Sequence, residues 1–120
     1  VSIYPAGAKL TRGELAALPL ERRRALAVAC LSSWHIASQN ALELLRLCVY
    51  RSEHGVSVAF IESDLLTTET RAAQAMNTLQ RFELVRLGPH PIRGYPTLWA
   101  TEEGQAVFEA VETIKAIRNS

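Results

Sequence analysis

A chain of 120 residues with 48% hydrophobic and 21% charged residues is sized for one domain and can bury about two-thirds of its unfolded surface. That composition is ordinary for a globular chain and does not suggest disorder, and the longest apolar run, Ala25 to Leu31, is far too short to cross a bilayer. The net charge of +1 is not the strong basic balance of a non-specific nucleic-acid binder, but it is uneven: +3 over residues 1–55, 0 over 56–100 and −2 over 101–120, so local placement of Arg71, Arg81, Arg86 and Arg93 matters more than the sum.

Cys30 and Cys48 stand 18 positions apart with no CxxC or CxxxH spacing. The expectation is two buried, reduced thiols in a cytoplasmic protein rather than a zinc site, which needs four convergent ligands. No signal-peptide pattern opens the sequence as given.

Val1 to Leu10 reads as an extended arm, because Pro5 and Gly7 break any helix. Thr11 and Glu14 stand at capping-box spacing, so a short helix is expected to about Leu18. Pro19 suits the first turn of a second helix, since its missing N–H costs nothing there. That helix is expected over Leu20 to about Ile36. Its apolar run Ala25–Leu31 has no polar side, which predicts burial on more than one face, at the domain centre or a subunit interface. Arg22, Arg23 and Arg24 in its first turns fit a solvated helix end, or a phosphate or partner contact.

Ser38 to Asn40 reads as the next boundary, with Asn40 and Glu43 at capping-box spacing. A third helix then runs to about Glu53, with Ala41, Leu44, Leu45, Cys48 and Val49 inward, and His54-Gly55 ends it. Val56-Ser57 can form a very short strand. A short helix carries Phe60, Ile61 and Leu65, and Leu66-Thr67 is a turn.

Thr67 and Thr68 then cap a helix over about Glu69 to Phe82. Ala72, Ala75, Met76, Leu79 and Phe82 share one face by their spacing. The other face carries Thr70, Arg71, Gln74, Asn77, Thr78 and Arg81. These are the side-chain types that read base edges and phosphates: arginine matches guanine, and glutamine or asparagine matches adenine. Small Ala73 lets that face lie close to another surface. An ordinary solvated helix face would look the same in isolation, so the flanking elements carry the distinction. Two short helices joined by a tight turn make a helix-turn-helix. Leu84–Gly88, a Pro/Gly-rich loop from Pro89 to Pro96, and Thr97–Ala100 then read as a β-hairpin wing. Thr101 caps a last helix with Glu102 and Glu103 at its start and Lys115 and Arg118 at its end, the order the helix dipole favours. Val107, Val111, Ile114 and Arg118 form a stripe on it, with Phe108 beside and Ile117 beyond. This face is broad enough to suggest a dimer seam as readily as packing on its own chain.

The expected fold is therefore mainly α with a small β-hairpin wing (α+β), a winged helix-turn-helix with extra N-terminal helices in a single domain. Residues 1–37 form an arm and helices suited to dimerisation, 38–100 the winged core and 101–120 the C-terminal helix.

From about Ser38 to Glu112 the chain resembles the winged helix-turn-helix regulators of the multiple-antibiotic-resistance (MarR) type. The resemblance rests on the order S-V-A-F-I-E-S-D-L-L, T-T-E-T-R-A-A-Q-A-M-N-T-L-Q-R-F-E-L-V-R and A-T-E-E-G-Q-A-V-F, the last matching the family's threonine-acid-acid-glycine helix start after the wing. It implies a homodimer that sets one recognition helix per subunit in successive major grooves, with a wing near the minor groove. By position it implies DNA contacts from Thr68, Thr70, Arg71 and Gln74, and from Arg93 with His90 on the wing. The sequence departs from the family where Pro91 or Ile92 replaces the acidic partner of the wing arginine, and in a single C-terminal helix where the family has a longer pair.

The expected function is a sequence-specific double-stranded DNA-binding transcriptional regulator, a dimeric repressor in its simplest form. The alternative is a winged-helix protein-interaction module, which the neutral 56–100 segment and the carboxylates Glu62, Asp64 and Glu69 favour. An enzyme is not expected: there is no G-x-S-x-G, P-loop, dinucleotide turn or H-E-x-x-H, and His35, His54 and His90 lack an acid or nucleophile at informative spacing. No cofactor or metal is expected. Trp34, Tyr50 and Trp99 are the residues a cavity for an aromatic effector would use, although nothing in the sequence supports such a ligand over core packing.

Overall fold

The structure is a computed structural model that describes residues 7 and 9–119; most of the expected N-terminal arm lies outside the described residues. The chain is mostly helical with one small antiparallel sheet, an α+β arrangement. In order it forms α1 (Arg12–Ala16), α2 (Leu20–Leu31), α3 (Ile36–Tyr50), β1 (Val56–Ser57), a 3₁₀ turn (Val58–Phe60), α4 (Ile61–Leu65), α5 (Glu69–Arg81), β2 (Val85–Pro89), β3 (Pro96–Ala100) and α6 (Glu102–Arg118). No described helix is long and apolar enough to cross a membrane.

Three helix starts, those of α1, α5 and α6, follow the expected chemistry. The Thr11 hydroxyl accepts from the Glu14 amide and the Glu14 carboxylate accepts from the Thr11 amide, a reciprocal capping box. The Thr68 and Thr101 hydroxyls accept from the Arg71 and Gly104 amides, each satisfying one orphan donor of a first turn.

The boundary between α2 and α3 differs from expectation. α2 ends at Leu31 rather than Ile36, and α3 begins at Ile36 rather than near Asn40. The physical reason is a local turn: the Ser33 hydroxyl accepts from the His35 amide, and serine side chains compete with helical hydrogen bonds in this way. Asn40 lies inside α3 and caps nothing. α3 also stops at Tyr50, three residues short of the expected Glu53. Gly55, at φ +69°, then turns the chain against β3, where a Cβ would strike the Thr97 methyl, Leu98 carbonyl and Trp99 indole.

β3 is the centre of the sheet, in the order β1-β3-β2. Val56 pairs with Leu98, and Arg86 with Trp99. Beneath it α3 and α5 cross at the middle of the core. Ala41, Leu44, Leu45 and Cys48 of α3 and Ala75, Leu79 and Phe82 of α5 are fully or almost fully buried, with Val107, Phe108 and Val111 of α6 closing the other side. The alanines matter here, because small side chains at the crossing let the helix backbones approach. Both cysteines are free and buried. Burial pushes the Cys48 thiol up to about 12. It also raises Cys30, against which a Ser38 hydrogen bond and the Arg81 charge pull downward. Both groups are therefore neutral thiols rather than reactive thiolates.

The end of α5 is tied to the start of α6. Glu83 takes a left-handed conformation (φ +60°). The Leu84 amide donates back to the Leu79 carbonyl and the Glu83 amide to that of Gln80, a Schellman close with Leu84 and Leu79 both buried. The Thr101 hydroxyl donates to the Glu83 carbonyl at 2.9 Å and the Thr101 amide to the Leu84 carbonyl at 3.0 Å. Gly104 lies on the same carbonyl so closely that a Cβ would collide with its oxygen and carbon.

The three aromatics considered for an effector cavity do not meet. Trp34 is 83% exposed and Tyr50 72%, the latter standing edge-on to Phe108, while Trp99 is half-buried under the Arg86 guanidinium.

Gly104→Ala is expected to destabilise the chain by about 1–3 kcal/mol, the cost of overpacking, because the colliding atoms are backbone and cannot rotate away. Thermal unfolding followed by circular dichroism checks this.

Candidate functional site

The site begins with the turn into α5. Leu66 takes a left-handed conformation at φ +52°, its amide donating to Ser63 and the Thr67 amide to Glu62. These bonds close the end of α4 and reverse the chain within three residues. Thr68 then caps α5, so one turn and one cap set the direction of the helix. The hydrophobic side of α5 fixes its rotation: Ala72, Ala75 and Leu79 are buried.

The consequence is that Thr70, Arg71, Ala73, Gln74 and Asn77 are all exposed together. Glu69, Thr70, Ala73, Gln74 and Asn77 line an open concavity of about 480 Å³, with the missing side-chain bulk of Ala73 in its middle. Arg71 is on the next row of the helix, one position on from Thr70. Amide side chains offer a donor and an acceptor side by side, and a guanidinium offers a planar fork of donors. This face can therefore make paired hydrogen bonds to a flat polar partner.

The structure does not bring all the expected contacts onto this face. The Thr68 hydroxyl is committed to the Arg71 amide. Thr78 is half-buried at the edge of the helix. Arg81 is half-buried as well, its guanidinium carbon 5.6 Å from the centre of the Phe82 ring, and its charge is felt by the buried Cys30 thiol. The end of α5 packs it inward.

His90 and Arg93 belong to a separate element, the tip of the β2–β3 hairpin. Here His90 is a scaffold. Its Nδ1 accepts from the amides of Ile92 (3.2 Å) and Arg93 (3.1 Å), and its ring stacks on Tyr95 with centroids 4.9 Å apart. The His90 amide donates to the Tyr95 carbonyl and the Gly94 amide to that of His90, with Gly94 at φ +77°. The result is a closed tip that displays Ile92, 88% exposed, and the exposed Arg93 side by side.

Arg86 was not among the expected contacts. It sits over Trp99, 4.9 Å from the ring centroid, and with Arg12, Gln80 and Glu83 borders a concavity at the C-terminal end of α5. Cross-strand pairing with an aromatic residue is the signal that could have located it. Asp64, one of the carboxylates that could have opposed an anionic partner, is bonded to Arg51 at 3.0 Å. That leaves Glu62 and Glu69 exposed near the start of α5.

No group of three or more His, Cys, Asp or Glu suited to a metal ion occurs among the described residues. Comparison of the chain with protein-family models, curated proteins and solved structures finds no match.

His90→Ala is expected to leave overall stability within about 0.5 kcal/mol, as for surface substitutions generally, while speeding amide exchange at Ile92 and Arg93. Hydrogen exchange read by NMR distinguishes this from a mere surface role, which would leave both amides unchanged.

Proposed function

We propose that this chain is a sequence-specific, double-stranded DNA-binding transcriptional regulator of winged helix-turn-helix architecture, resembling the MarR type. In this reading α4 and α5 are the helix-turn-helix, α5 the recognition helix and the β2–β3 hairpin the wing. The observation that carries it is the exposed row Thr70, Arg71, Gln74 and Asn77 on a helix whose opposite face is locked into the core.

The chemistry supports the reading in a specific way. A major groove admits a helix, and there arginine pairs with guanine while glutamine and asparagine pair with adenine. Ala73 permits close approach at the centre of the row. Arg93 at the wing tip supplies a cation for the phosphates or the narrow groove beside the helix. Glu62 and Glu69 oppose non-specific attraction to phosphates, so affinity rests on matched base contacts more than on bulk charge. A small domain seated on an operator acts most simply by excluding other proteins, as a repressor. Two copies reading successive major grooves would require half-sites about 10 base pairs apart.

A second reading has its own observation. Phe60, Leu66 and Ile92 are 62%, 92% and 88% exposed, and exposed apolar side chains near a recognition-type helix suit a protein partner. The two readings separate by salt: a DNA complex weakens steeply as salt rises because bound counterions are released, whereas a protein adaptor binds no DNA even at low salt.

Arg71→Ala and Gln74→Ala are each expected to lower discrimination between a preferred and a mismatched duplex by about 5- to 150-fold, equivalent to about 1–3 kcal/mol per paired contact. Alanine favours a helix and both positions are exposed, so the fold should be retained. Fluorescence-anisotropy titrations of the two duplexes measure the ratio. Undiminished discrimination by both variants would remove α5 as the reading element.

A further inference from the structure

The β2–β3 hairpin carries charge of one sign. From Leu84 to Thr101 the sequence holds Arg86, His90 and Arg93 and no Asp or Glu. The four carboxylates of residues 56–100, Glu62, Asp64, Glu69 and Glu83, all precede it. The neutral sum over that segment therefore divides in two: −2 over 56–83, where Arg71 and Arg81 face those four, and +2 over 84–100 from Arg86 and Arg93. Charge complementarity points the hairpin at a polyanion rather than at a basic protein.

At the tip of this cationic element stands Ile92, almost fully exposed. Turns favour Gly, Pro, Asn, Asp and Ser, and the fold gains nothing from a large branched side chain there. That side chain is also held stiffly. His90 Nδ1 accepts from the Ile92 and Arg93 amides, the Gly94 amide donates to the His90 carbonyl, and the His90 ring stacks on Tyr95. Pro91 fixes a backbone dihedral just before it, and the branched Cβ of Ile92 restricts its own χ1. The amides of Ile92, Arg93 and Gly94 are all consumed in closing the turn, so the tip offers a partner side chains alone. They are one rigid apolar knob and one guanidinium beside it.

We propose that Ile92 is a wedge that enters the minor groove of double-stranded DNA and partly unstacks one base step, with Arg93 beside it on the backbone phosphates. The proposal rests on the regulator reading of α5 and adds to it a second means of choosing sequence. Two sizes support DNA as the occupant. The first is reach: β2 and β3 have five residues each, so the hairpin extends about 17 Å. Its base lies at the C-terminal end of α5, where Gln80, Glu83, Val85 and Arg86 line one concavity. Half a helical turn of DNA is about 17 Å, the distance along a duplex from a major groove to the next minor groove. A helix in one groove and the tip in the next therefore fit a single duplex. The second is the side chain: apolar wedges of this size slip between base pairs and kink the duplex toward the major groove. A lipid surface is a poorer match, because membrane binding scales with buried apolar area and one isoleucine supplies little of it. The consequence is specificity at a base step that no polar side chain reads. Pyrimidine–purine steps unstack readily and A-tracts resist, so the tip selects a flexible step beside the bases that α5 contacts.

The test uses the whole chain and the duplex most enriched by selection from random DNA, labelled at its ends with donor and acceptor dyes and carrying 2-aminopurine beside the α5 footprint. On binding, energy transfer is expected to report a bend of about 20° or more, and 2-aminopurine fluorescence to rise at one flanking step. Ile92→Ala should abolish both changes and Ile92→Leu should keep them, while both variants retain the base discrimination that Arg71 and Gln74 supply. Replacing the flexible step by an A-tract step should lower the affinity of the parent chain by about fivefold or more, and that of Ile92→Ala by less than about twofold. Ile92 is exposed, so thermal unfolding of both variants, measured alongside, should match the parent. A bound duplex that stays straight and stacked overturns the wedge and leaves the regulator reading standing. So does a bend that Ile92→Ala leaves intact, or anionic phospholipid vesicles bound through Ile92 while the duplex stays straight. A chain that binds no duplex sinks both.

Discussion

The geometry of this protein depends on how closely α6 can approach the peptide that follows α5. Gly104 sits against the Leu84 carbonyl, and Thr101 holds the carbonyls of both Glu83 and Leu84 through its hydroxyl and amide. That one junction joins three things: the C-terminal close of α5, the residue that leads into the hairpin and the first turn of α6. Any larger residue at 104 would push α6 away and release the hairpin from the helix. The tie is made of short backbone-directed hydrogen bonds in half-buried surroundings, which are costly to leave unmade. It therefore fixes the hairpin relative to α5 more firmly than side-chain packing alone.

From this junction the two faces of α5 acquire different tasks. Inward, Ala72, Ala75 and Leu79 are buried in the core that α5 shares with α3. Outward, Thr70, Arg71, Gln74 and Asn77 are left in water with nothing in the fold requiring polar, hydrogen-bonding side chains of those types. The functional proposal rests on that surplus. The hairpin tip repeats the pattern on a smaller scale. His90, Tyr95 and Gly94 are consumed in closing the turn, and Ile92 and Arg93 are what it displays.

Much of this was legible in the residues because local chemistry and tertiary packing agree. Thr11, Thr68 and Thr101 cap as their spacing requires, and the alanine–leucine stripe of α5 is buried as its period requires. The hairpin strands appear within a residue of where turn formers put them. What was not legible has different causes. Residues Ala25 to Ile36 contain no glycine or proline, so a helix looked continuous, and the break comes from the Ser33 hydroxyl, which competes for a single amide. Arg81 falls on the polar side by period, yet the closing turn after it folds its guanidinium over Phe82. The structural role of His90 does not follow from its place in a loop, because its Nδ1 bonds to the Ile92 and Arg93 amides form only once the tip is closed. Trp34 and Tyr50 could not be told from core aromatics, since hydrophobicity alone does not say which apolar residues a small fold leaves outside.

The central claim is that the outer row of α5 reads base sequence, and selection of bound duplexes from random DNA at near-physiological salt tests it most directly. The account predicts enrichment of a two-fold-symmetric motif with half-sites about one helical turn apart, its binding lost as salt rises. No enriched sequence at any salt would contradict the account.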